Sequence, residues 1–138
     1  TIEIRGGSGV QSSEALLLGA WLAARLGLAI ADSKINGVRL DASFYDGSRE
    51  VRLVIAPSAG GRALGETRIT TLDAEFVIEL HEDSGHLHVR EGWDSGSMRR
   101  IVEQSPADDA SVLALMLDGA IATDVYGEAL RMALALLG

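Results

Sequence analysis

Two alternating runs constrain the fold more than any other feature of the chain. Val38, Leu40, Ala42 and Phe44 alternate with Arg39, Asp41, Ser43 and Tyr45, and Val51, Leu53 and Ile55 alternate with Glu50, Arg52 and Val54. A period of two marks strands with one buried face. Pairing Phe44 with Val51, Ala42 with Leu53 and Leu40 with Ile55 puts the apolar side chains on one face and leaves Gly47 and Ser48 as a two-residue loop of the type II′ kind.

A second sheet segment follows. Leu72, Ala74, Phe76, Ile78 and Leu80 share a face, Leu87, Val89 and Trp93 stand opposite, and Glu82 to Gly85 supply the turn. After a turn over residues 94–97, residues 98–104 return as another strand, with Val102 opposite Val89 and Met98 near Trp93. Residues 57–68 are rich in Gly without any period and are expected to be a connecting loop.

Helices flank the strands. Glu14 to Gly27 carries a start, a stripe and a stop: Ser12 or Ser13 as cap, Leu18, Trp21, Leu22, Arg25 and Leu26 at helical spacing, and Gly27 for the left-handed end. Pro106 with Asp108 and Asp109 suits a first turn, residues 112–121 a helix, Thr123 a cap and residues 124–137 a last helix. The expected fold is α+β: a meander of about five antiparallel strands, with an N-terminal helix and two C-terminal helices packed on one face. Trp21, Leu22, Leu26, Gly27 and Val125 are expected as structural anchors, with the Tyr126 ring packed and its hydroxyl bonded, or else touching a partner.

The 138 residues are 47% hydrophobic, enough for one sizeable core, and are read as a single domain over 1–138. The chain opens on Thr1 inside a short strand, Ile2 to Arg5, and is expected to be a piece of a longer protein. No apolar run approaches the ~20 residues that span a bilayer, so no membrane is expected. Without Cys or a leader pattern, the expected compartment is the cytoplasm. Twenty acidic residues against twelve basic give a net charge of -8, which argues against nucleic acid as a partner.

Chemistry-bearing groups are few. Gly6, Gly7 and Gly9 lie between strand and helix, where a phosphate cradle would sit, but no Gly-Lys-Ser/Thr follows, and a flexible entry loop is the favoured reading. The hairpin places His81, His86 and His88 on the polar face beside Glu79, as solvated residues or as a metal cluster. Arg90, Arg99 and Arg100 form the one basic cluster, a salt-bridged surface or an anion site. No nucleophile system is visible, and neither a catalytic residue nor a cofactor is expected. A phosphate- or sugar-phosphate-binding enzyme domain, built from Gly6 to Gly9 and the arginines, is the competing reading. A partner is expected on the polar sheet face, through Arg39, Asp41, Arg52, Glu79 and Arg90, or on the outer edge of the helix pair.

The segment Trp21-Leu22-Ala23-Ala24-Arg25-Leu26-Gly27, preceded by Leu16-Leu17-Leu18-Gly19-Ala20, resembles the Gly-Trp-Leu-Ala-Ser-Arg-Leu-Gly signature of the glucose-6-phosphate dehydrogenase assembly protein (OpcA) family. Near the other end, Leu113 to Leu117 and then Thr123-Asp124-Val125-Tyr126-Gly127-Glu128-Ala129-Leu130 resemble that family's Leu-rich helix and its Asp-Pro-Asp-x-Val-Tyr element followed by Glu-x-Ala-Leu. Leu28 stands where a second Trp is common, and Ala122-Thr123 replaces the usual Asp-Pro. The resemblance implies the C-terminal domain of such a protein. It also implies a non-catalytic role: binding glucose-6-phosphate dehydrogenase and promoting its active oligomer in the oxidative pentose phosphate pathway.

Overall fold

A computed structural model describes residues 1–59, 65–81, 86–93, 96–103 and 125–138. Eight strands form one sheet: β1 (Ile2–Arg5), β2 (Ala29–Asn36), β3 (Arg39–Tyr45), β4 (Glu50–Ala56), β5 (Glu66–Thr70), β6 (Ala74–His81), β7 (His86–Trp93) and β8 (Gly96–Glu103). Their order across the sheet is β2-β3-β4-β1-β5-β6-β7-β8. Every neighbouring pair is antiparallel except β1 and β4. The described helices are α1 (Ser13–Arg25) and α2 (Val125–Leu137), and neither is long and apolar enough to cross a membrane.

The α+β class stands, and the five-strand, three-helix architecture does not: the sheet has eight strands and the described chain two helices. Three strands account for the difference. β1 carries only two apolar residues, Ile2 and Ile4, yet it fills the centre of the sheet between β4 and β5, where a local meander leaves no place for it. In β2 a bulge between Ile30 and Asp32 breaks the period of two that would have revealed a strand. β5 has Ile69 as its sole apolar residue and begins inside the stretch expected to be a loop, over residues 66–68. The helix expected over 112–121 lies outside the described residues.

The β3–β4 register is Phe44↔Val51, Ala42↔Leu53 and Leu40↔Ile55, and the tip turns on Gly47 at φ 95° while Asp46 Oδ1 accepts the Ser48 and Arg49 amides. β6 and β7 pair with Leu80 opposite Leu87. In β8, Val102 faces Leu87 rather than Val89, and Met98 faces Glu91, because the turn places Gly96 directly opposite Trp93.

α1 begins at Ser12, whose hydroxyl accepts the Ala15 amide at 3.3 Å. It ends in a Schellman arrangement: the Leu28 amide donates to Ala23 O and the Gly27 amide to Ala24 O, with Gly27 at φ 65°. Its buried face is Ala15, Leu16, Gly19, Ala20 and Ala23 rather than the bulky stripe. A Cβ on Gly19 would lie 3.2 to 3.4 Å from Leu53, Ile55 and Ile4, so small residues set how closely the helix approaches the sheet. Leu22 packs against the core, whereas Trp21 (41%) and Leu26 (58%) stand exposed. The indole therefore does not join the helix to the sheet.

The core collects Ile2, Ile4, Leu40, Phe44, Leu53 and Ile55 from the sheet and Leu136 from α2, all nearly free of solvent. α2 lies along α1 and over β2, where the Ser33 hydroxyl donates to Leu136 O at 2.6 Å. Both described helices cover the same sheet face; the other, on which Val54, Ala56 and Val77 are nonetheless buried, is open among the described residues.

Candidate functional site

Strand alternation decides what the open face displays. In register across the sheet run Lys34, Asp41, Val54, Glu3, Arg68, Val77, Arg90 and Arg99; beside them run Arg39, Ala56, Arg5, Glu66, Glu79 and His88. The expected interface residues Arg39, Arg52, Glu79 and Arg90 thus share one face. They do not form one patch. Arg52 on β4 and Arg90 on β7 are four strand spacings apart, roughly 19 Å.

At the β3–β4 end, Asp41 accepts from Arg39 Nε at 2.7 Å and from Arg52 Nη2 at 2.7 Å. These bonds, Arg39's first, hold the Asp41 carboxyl at about 2 against an ordinary 3.8, and the same contact raises Arg39. A depressed folded-state value means that the pairing stabilises the fold above the unfolded value and that this contribution drains away as pH falls from 3.8 to about 2. Because the Asp41 side chain is 26% exposed, the contribution is about 1 kcal/mol after solvent screening. Measured by urea unfolding, the stability gap between the native chain and Asp41→Asn should therefore close between about pH 5 and about pH 2.

Mid-sheet, Arg68 donates to Glu75 at 2.7 Å and to Glu66 at 3.1 Å, and Arg5 pairs with Glu3 at 2.9 Å. At the β7–β8 end the pattern changes. Arg90 and Arg99 stand directly opposite one another. Arg100, one residue along, points to the helix side and donates to Met98 Sδ, so the three-arginine cluster divides between the two faces. Arg99 Nη2 lies 2.7 Å from His88 Nδ1. A guanidinium only donates, so Nδ1 accepts and the His88 proton sits on Nε2.

The backbone register puts His81, His86 and His88 on this face, next to Glu79. No group of three His, Asp or Glu placed to hold a metal occurs among the described residues. The glycine-rich entry is bound internally: the Gly6 amide donates to Ala56 O, Gly9 to Gly6 O and Val10 to Val38 O, which ties this loop to β4 and β3 and removes those donors from any phosphate. The loop and the Arg90–Arg99 pair are also separate places, since β1 and β7 lie three strand spacings apart, roughly 14 Å. Val125 and Tyr126 open α2, with side chains outside the described residues.

No protein-family model, curated protein or solved structure matches the chain. One further feature bears on the two sequence anchors. A cavity of about 530 Å³ opens between the end of α1, the start of β2 and α2, lined by Ala24, Gly27, Leu28, Ile30, Glu128 and Met132 among others. Residues of both anchors meet there. Sequence reasoning missed this meeting because the contact joins opposite ends of the chain, and it missed the Arg99–His88 bond because the β7–β8 register was shifted.

Proposed function

We propose that this domain is a protein-interaction module that binds glucose-6-phosphate dehydrogenase and promotes its active oligomer, using the open sheet face. What supports the reading is the adjacency of the two anchors: Ala24 and Gly27 from the Trp21–Gly27 segment share a cavity with Glu128 from the Val125–Leu130 segment. Residues that resemble one family at both ends of the chain thus belong to one structural unit. The open face, with arginines interleaved with carboxylates, suits a wet, separable interface better than a dry permanent one.

The test is association of the full chain with the dehydrogenase of the same organism, followed by surface plasmon resonance at several salt concentrations. Arg52→Glu should slow association by about tenfold and flatten its salt dependence while thermal unfolding stays cooperative. Binding unchanged by the reversal would move the interface off the β3–β4 end of the face. No binding of the native chain would overturn the reading.

A further inference from the structure

Six arginines occupy the open sheet face, and four of them are ion-paired in place: Arg5 with Glu3, Arg39 and Arg52 sharing Asp41, and Arg68 with Glu66 and Glu75. Arg90 and Arg99 break the rule. Side chains directly opposite on antiparallel strands have Cβ atoms about 5 Å apart, and like charges so placed repel. Arg90 makes no ion pair with any described residue, and Arg99 bonds only to the His88 ring, which carries no negative charge when it accepts on Nδ1. Glu75, the next residue along the same face of β6 from Val77, which faces Arg90, is taken by Arg68. In a chain of net charge -8, two adjacent cations thus have no carboxylate bonded to them among the described residues.

From this juxtaposition we propose that Arg90 and Arg99 form a clamp for a phosphomonoester dianion on the open face of β7 and β8. Two guanidinium charges match the near-double charge of such an ester at neutral pH, whereas a carboxylate or a sulfate monoester relieves only half of the repulsion. His88 acts as a positioning residue. Its bond restrains the Arg99 fork before the ligand arrives, so less side-chain entropy is lost on binding. Phosphate oxygens between the strands accept from both forks, and the open face leaves room for the rest of the ester. The inference does not depend on the dehydrogenase reading, since the ester can be a free metabolite or a phosphorylated side chain of another protein.

The experiment follows the arginine Nε–H signals of the full chain by NMR during titration with methyl phosphate, with methyl sulfate as the singly charged isostere. The Arg90 and Arg99 signals should move together on one saturable curve, and methyl sulfate should bind about tenfold or more weakly. Arg90→Gln and Arg99→Gln should each weaken methyl phosphate by about tenfold, with Arg52→Gln unchanged. His88→Ala should weaken it less, with both arginine signals still moving. A phosphoserine peptide run beside methyl phosphate assigns the source: tighter binding of the peptide points to a protein partner, equal or weaker binding to a free ester. No saturation below about 50 mM methyl phosphate, equal affinity for methyl sulfate, or equal loss in Arg52→Gln would overturn the clamp.

Discussion

Gly9→Ala is expected to cost the domain most of its stability, about 4 kcal/mol or more, because two penalties fall on one residue. Gly9 has φ 73°, a region that L side chains avoid, and an added Cβ would lie 1.9 Å from Val38 O and 3.2 Å from Pro57 Cδ. The first obstacle is backbone, so no rotamer change relieves it. Moving the Val38 carbonyl away would also break its bond to the Val10 amide at 2.8 Å and loosen the join between β1, α1 and the β2–β3 turn. A urea midpoint far below the native one, or no cooperative transition, is the expected readout. Gly27→Ala is the matched control, since Gly27 also has positive φ (65°) but nothing within 4 Å of the added carbon. That change should cost only about 1 kcal/mol.

Phe44→Ala should lose about 3 to 5 kcal/mol, the range for a large side chain removed from a closed core. Phe44 is fully buried, faces Val51 on β4 and Ile30 on β2, and lies beneath the helix layer. Chemical unfolding with an unchanged denaturant slope is the measurement. A loss below about 1 kcal/mol would mean that the neighbours collapse into the space. Domains of this kind have only about 5 to 15 kcal/mol in total, so either substitution should shift the fraction folded in a cell.

How much could be read from the sequence depended on whether a side-chain pattern lay within one element. β3 alternates cleanly between buried Leu40, Ala42 and Phe44 and a wetter face, and pairing these three with Ile55, Leu53 and Val51 sets the register of β4, whose end is buried on both faces. β6 and β7 were legible from the alternation of apolar and polar residue types alone, since Phe76, Ile78 and Trp93 stand partly exposed and Val77, on the other face of β6, is buried. β2 was hidden by its bulge, β5 by having a single apolar residue, and the central place of β1 by the distance in sequence between Ile4 and its partners Ile55 and Thr67. α1 was located with its cap and its end, but its buried face was misassigned because Ala15, Gly19, Ala20 and Ala23 carry little hydrophobic signal beside Trp21 and Leu18. For the site, alternation alone assigns Arg99 and Arg100 to opposite faces. That Arg99 then meets Arg90 depends on a register that the longer-range pairing decides.

The placement of β1 has a consequence for how the chain acquires its structure. This strand is made before either of its neighbours, and Ile2 must wait for Leu53 and for Ile69. Until both arrive, β2–β3–β4 and β5–β8 are separate antiparallel ribbons, each joined by short local turns and each able to form early. The four residues from Ile2 to Arg5 are the seam that turns two ribbons into one sheet. Closing that seam has a high loop-closure cost and belongs to the late, slow part of folding. The same geometry makes the chain a candidate for complementation, in which a short peptide carrying this strand is supplied separately to a chain that lacks it and restores the joined sheet.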